Sequence, residues 1–171
     1  KKTYTFESLC SELANIAPYD WAGFFSQKLD GYDIDPTDAL KKLGWTLTYA
    51  ETPSEAYLQS EQENGVTDLS YSIGLSAEED GSIASVNWQS PAFLAGLSSY
   101  ARIISVANQP YSEEKLIAAV RNAKSNPITL QVEQDGQQRT VTIEYKGSLR
   151  YPLLKRLNKE PDGLSAFLAP L

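Results

Sequence analysis

The sequence of 171 residues has no histidine, no methionine and one cysteine, Cys10. Zinc sites of the usual kinds need His or several Cys. Ser-His-Asp and Cys-His nucleophile systems need His. None of these can be completed within this chain. A single Cys cannot form an internal disulfide, so cysteine usage leaves the redox compartment open. Cys10 falls on the apolar stripe of an expected helix, where a free thiol behaves as a small hydrophobe. No apolar run approaches the roughly 18 residues that a membrane-spanning helix requires. The opening stretch "KKTYTFESLCSEL" lacks the continuous apolar core of a secretory signal. The missing Met predicts a fragment cut from a longer chain.

Basic charge is absent where acid is dense. From Glu51 to Gly81 there are eight acidic residues and no Lys or Arg, within a net charge of -7. Phosphate binding needs clustered basic charge, which argues against nucleic acid as a partner. The acidic stretch lacks the alternating oxygen ligands and closing Glu of an EF-hand loop, and reads as a solvated connection.

What is present divides into three parts. Residues 1–43 read as helices: Phe6, Leu9, Cys10, Leu13 and Ile16 share one face, Trp21, Phe24 and Phe25 another, and "DPTDALKKLG" carries Asp35 as cap, Pro36 at the first position and Gly44 as stop. This segment is too small to cover its own aromatics. Residues 44–147 turn to strand periodicity, beginning with "WTLTYA", and include an irregular acidic connection at 51–68. "SPAFLAGL" is a helix of barely one turn, with Ser90 as cap, Pro91 at the first position and Gly96 as stop. "SEEKLIAAVRNAK" is a longer helix capped by Ser112, and Asp135-Gly136 joins two alternating runs as a hairpin. Residues 148–171 form a tail, expected to be helical and to pack on the first segment through Leu153, Leu154, Leu157, Leu164, Phe167 and Leu168.

From Tyr71 onward the order is a Gly-containing loop, two strands, a short helix, a strand with a turn, a longer helix and a hairpin. This order, with "SIGL" at Ser72 to Leu75 and "SPAFLAGL", resembles a PDZ domain of the bacterial kind. Tyr100-Ala101 and Ala107-Asn108 stand where that pattern has Gly-Asp and Asn-Gly. With "APYDWAGFF" before it and "RYPLLKRL…LSAFLAPL" after it, the chain is similar to the C-terminal region of glycyl-aminopeptidase-type zinc metallopeptidases, in which a PDZ domain follows a thermolysin-like catalytic domain. The resemblance implies an α+β fold: a PDZ-like, partly open β-barrel capped by two helices, preceded by a small helical segment and followed by a helical tail. It implies no cofactor in these residues. Zinc would belong to a catalytic domain whose His-Glu-x-x-His helix is absent here.

The resemblance also implies a site. A peptide or protein C-terminus would add as a strand to the edge of the strand beginning at Leu75, beside Ala77. Its carboxylate would meet backbone N–H groups of the loop Ser72, Ile73, Gly74 and Leu75, with Gly74 allowing close approach. Glu113, Ile117 and Val120 would line the helix wall. The ligand expected is an apolar last residue with a basic or hydroxyl-bearing residue two places upstream, facing Glu113. The other expected partner is the protein's own catalytic domain. Read as residues alone, Gly74 can equally mark a bulge, Ile117 and Val120 a closed core, and Glu113 a favourable charge at a helix N-terminus. Three functions therefore stand: a peptide-binding module, a structural module with a filled groove, and, with no assembled nucleophile, base or metal to support it, an enzyme.

Overall fold

A computed structural model of the chain describes residues 3–30, 35, 37–158 and 160–169. Thr5 caps the first helix, α1 (Phe6–Ile16), in a reciprocal box with Ser8. Helix α2 (Trp21–Asp30) follows, and Phe6 meets Phe25 edge-on at 6.0 Å. Helix α3 (Asp38–Lys42) leads through Gly44, at φ +79°, into strand β1 (Trp45–Ala50). Asp35 accepts from Thr37 N–H and Oγ1 ahead of α3, whose N-cap is Thr37. Pro36 lies outside the described residues.

Helix α4 (Glu55–Asn64) runs into the short strand β2 (Val66–Asp68), then come β3 (Leu75–Glu78) and β4 (Ile83–Val86). The one-turn helix α5 (Pro91–Leu94) is punctuated as its residues dictate: Ser90 Oγ accepts from Phe93 N–H, Pro91 opens it, and Gly96 has φ +82°. Strands β5 (Arg102–Val106) and β6 (Gln109–Pro110) flank a turn in which Ala107 and Asn108 both have positive φ. Helix α6 (Glu113–Arg121), capped by Ser112, precedes the hairpin of β7 (Ile128–Gln134) and β8 (Gln137–Ile143). Its turn, Asp135-Gly136, has positive φ at both residues, the conformation that matches strand twist. Strand β9 (Tyr151–Arg156) and helix α7 (Gly163–Leu168) complete the chain.

The fold is α+β and antiparallel throughout. A three-stranded sheet, β2-β3-β4, and a four-stranded sheet, β6-β5-β7-β8, are joined by a single bridge between Ser82 and Arg102. Among the described residues they do not close into a barrel. Inward positions alternate along β7 and β8, so that Ile128, Leu130, Val132, Val141 and Ile143 enter one core with Leu75, Ala77, Ile83, Ile103, Leu116 and Val120. Helix α5 lies against β8, and α6 against β5.

Three expectations are corrected. The acidic stretch 51–68 is not irregular: it holds α4, with Ser54 as N-cap and Gly65 at φ +65° as its C-cap, and then β2. "WTLTYA" does not join the central sheets. It pairs along its whole length with β9, from Trp45 opposite Arg156 to Ala50 opposite Tyr151. The tail is therefore half strand. The start of α7 meets the end of the first segment, where Gly163 N–H and Leu164 N–H donate to Leu43 O, but Phe167 and Leu168 stay exposed, while α1 and α2 pack on each other and bury none of their residues.

Tail and β1 are clasped by Arg156. Its Nη1 donates to Gly44 O at 2.7 Å and to Leu157 O at 3.1 Å, and its Nη2 donates to Glu160 O at 2.7 Å. Asp162 accepts from Trp45 Nε1–H at 2.9 Å and caps α7 through Ser165 N–H. Those two hydrogen bonds hold its carboxyl below the usual range.

Candidate functional site

The site begins at Gly74, whose φ of +76° is a left-handed conformation that favours Gly. A Cβ there would run into Cβ and Oγ of Ser90, the cap of α5. The packing of loop on helix is thus by itself enough to require glycine here. Gly74 O accepts from Asn87 N–H at 2.8 Å, which ties the loop to the end of β4.

The loop's N–H groups already have an acceptor. Leu69 O receives Ser72 N–H at 3.0 Å, Ile73 N–H at 3.1 Å and Gly74 N–H at 3.1 Å. Leu75 contributes its carbonyl, which accepts Leu69 N–H at 2.9 Å. Ser72 Oγ accepts Arg150 N–H at 3.0 Å, so the loop is also joined to the start of the tail. Tyr71 stacks on Tyr49, and the Arg150 guanidinium lies 4.0 Å from the centre of the Tyr49 ring.

The edge of β3 is not open. Strand β2 pairs with it antiparallel, Val66 opposite Glu78, Thr67 opposite Ala77 and Asp68 opposite Ser76, while β4 holds the other edge. The groove expected to receive a strand from another chain thus contains a strand of this one. Tyr100, which the sequence offers as a plug, is 86% exposed. Ala77 and Val120 are fully buried in the core, and Ile117 is partly buried against it.

Helix α4 secures the outer side of β2. Tyr57 Oη–H donates to Asp68 O at 3.1 Å, and Asp68 N–H donates to Glu61 Oε1 at 2.7 Å. Burial pushes the Tyr57 hydroxyl well above its usual range. It also raises Glu61, partly offset by the Asp68 N–H and reinforced by the charges of Asp68 and Glu113. A cleft of about 390 Å³ remains between α4, β2 and α6, lined by Leu58, Glu61, Val66, Thr67, Glu113 and Ile117 among others. The structure thus brings Glu113 and Ile117 to the cleft and places Ser72, Ile73, Gly74 and Leu75 around Leu69.

Sequence reasoning missed α4, β2 and Leu69. The punctuation was visible: Ser54 before the helix and Gly65 after it. The apolar stripe was not, because Tyr57 and Leu58 stand alone in "EAYLQSEQEN".

Among the described residues no cluster of three or more His, Cys, Asp or Glu side chains is arranged to hold a metal ion. None of their helices is long and apolar enough to cross a membrane.

No protein-family model matches the chain, and no curated protein matches it. Solved structures do. An aminopeptidase N family protein from Idiomarina loihiensis superposes with a TM-score of 0.62 at 15% identity, covering 98% of this chain. The chain spans 29% of that protein's length. The HtrA3 PDZ domain bound to a phage-derived ligand (FGRWV) matches at a TM-score of 0.33 and 14% identity, covering 75% of this chain and 100% of that domain. The chain shares its fold with part of a much longer protein described as an aminopeptidase.

Proposed function

We propose that this chain is a non-catalytic, PDZ-like portion of an aminopeptidase-type protein, and that it serves as a structural module whose groove is closed by its own strand. The observation that carries this reading is the pairing of β2 on the β3 edge, with Leu69 O on three loop amides. A strand from another molecule cannot use that edge while β2 occupies it. The likeness to one portion of a longer aminopeptidase N family protein supports a place inside a larger chain. The own catalytic portion is then the natural neighbour, and the half-exposed aromatic and aliphatic side chains of α1 and α2 suit a covered face. The groups that activate water or polarise a peptide carbonyl, zinc included, would come from outside these residues, which contain no His.

The test uses the purified chain with a library of peptides bearing free, apolar C-termini, read by fluorescence anisotropy. No complex should form up to near-millimolar peptide. In parallel, Gly- and Ala-starting peptides should remain uncleaved with added zinc. Micromolar binding by the unaltered chain would overturn the closed groove, and metal-dependent cleavage tracking with the protein would overturn the non-catalytic assignment.

A further inference from the structure

We propose that strand β8 is an association edge, on which two copies of this chain pair antiparallel about a twofold axis at Val141. This surface lies apart from the cleft beside α6, and the proposal does not depend on whether that groove is closed.

Hairpin geometry decides which backbone groups β8 leaves free. In a hairpin closed by a two-residue turn, the residues flanking the turn exchange both hydrogen bonds, and bonded pairs recur at every second position. Gln134 and Gln137 flank Asp135-Gly136, so Arg139, Val141 and Ile143 also bond β7. The other edge of β7 agrees: Thr129 O, out of phase with that set, accepts Ala107 N–H at 2.9 Å. The N–H and C=O groups of Gln138, Thr140 and Thr142 therefore point away from β7. Among the described residues no strand lies beyond β8, and no backbone hydrogen bond reaches these groups. The side chains of the same three residues are exposed.

Free edges are normally blunted by a bulge, a proline, an outward charge or brevity. Strands β2 and β6, also outer strands, follow that rule: β2 has three residues and is bonded by Tyr57 of α4, and β6 has two, the second being Pro110. Strand β8 has seven residues, no proline and an unshifted register against β7. Its one charge, Arg139, is turned aside, with Nη2 donating to Gly96 O at 2.6 Å. Helix α5 borders the edge across a hollow of about 190 Å³ lined by Pro91, Leu94, Ala95, Thr142 and Glu144, and Leu94 is 75% exposed.

The occupant is a second copy because the edge reads as its own complement. Its outward positions run Gln138, Thr140, Thr142 and, just past the strand, Glu144. Turned about Val141, the series sets Thr140 opposite the partner's Thr142, and Gln138 opposite the partner's Glu144. Threonine pairs are favourable across antiparallel strands, and an amide N–H can donate to a carboxylate. A register centred nearer Glu144 brings the two carboxylates together, and one centred nearer the turn shortens the overlap. The twofold pairing uses the same edge on both copies and so closes at two.

The test is sedimentation velocity on the full chain, with Ile16→Lys and Leu29→Lys included throughout so that the apolar side chains of α1 and α2 add no association. A closed dimer should be present at about 100 µM. Thr140→Lys with Thr142→Lys sets like charges opposite each other at exposed positions and should weaken the dimer at least about tenfold, with circular dichroism unchanged. Register is read by disulfides. Proteins carrying Cys10→Ala and either Thr140→Cys or Thr142→Cys should cross-link when mixed and oxidised, and far less when oxidised separately, since directly opposite Cα atoms about 5.5 Å apart lie within disulfide reach. If the double-lysine variant fails to fold, the mixture decides. A chain that stays monomeric at about 100 µM, a dimer indifferent to the two lysines, assembly beyond two copies, or cross-linking as efficient in either protein alone as in the mixture overturns the proposal.

Discussion

Gly74 and Leu69 show how much of the site rests on single residues. Gly74→Val puts a β-branched side chain at φ +76° and against Ser90, so backbone strain alone should cost about 1–3 kcal/mol. Thermal unfolding of the variant measures it, and a melting temperature within a degree of the parent contradicts the packing argument. Glu61 makes a pH prediction. Burial raises its pKa, so the fold favours its protonated form. The stabilisation is complete below the ordinary value of 4.5 and is lost as pH rises through the raised value. Glu61→Gln keeps an oxygen that can accept Asp68 N–H and removes the buried charge. It should melt higher than the parent at pH 7, and the difference should shrink as pH falls through that window. Asp162 works in the opposite sense and lower down. Its carboxyl is held below 3.8, so its contribution is present above that value and lost below it. A Glu61→Gln protein that melts lower than its parent at pH 7 contradicts the assignment of burial as the dominant cause.

At the scale of elements, one guanidinium fastens the outer end of the tail strand. Arg156→Ala removes three hydrogen bonds to carbonyls of Gly44, Leu157 and Glu160, of a charged kind worth about 1.5–3 kcal/mol each when buried and less at this half-buried position. Amide hydrogen exchange in β9 should accelerate at least about tenfold, while the amides of β7 and β8 stay protected. Uniform acceleration would mean that the ribbon and the core unfold together. How far such elements were legible follows from their chemistry. The helix at "SPAFLAGL" and the Asp135-Gly136 hairpin were readable because local backbone preference decides them. Strand β1 was readable as a strand but not in its pairing, since a partner more than a hundred residues away leaves no mark on local periodicity. Helix α4 had caps without a stripe. Strand β2 was too short to show alternation, so its pairing on the β3 edge was invisible, although Glu113 and Ile117, which line the cleft beside it, were named.

At the scale of the whole molecule, α1 and α2 leave apolar side chains uncovered by the rest of the described residues. On α1 and α2, Ile16 is 81% and Leu29 79% exposed, beside an aromatic cluster of Phe6, Trp21, Phe24 and Phe25. Ile16→Lys with Leu29→Lys should reduce self-association without lowering the melting temperature, as sedimentation velocity and calorimetry together would show. A loss of several degrees would reveal packing that these two residues support. The β1–β9 ribbon has a mechanical consequence. Trp45 and Arg156 face each other at its outer end, and the central sheets hang from its inner end at Ala50 and Tyr151. Tension applied through residues 44 and 157 therefore acts along the interstrand hydrogen bonds, which lie perpendicular to antiparallel strands, and breaks them one after another instead of shearing them together. The ribbon is a zipper under load: pulled by its neighbours in a longer chain, it would peel from Trp45 toward Ala50 at low force. Only then would the pull reach Tyr151 and, next to it, Arg150, whose amide steadies the loop around Leu69.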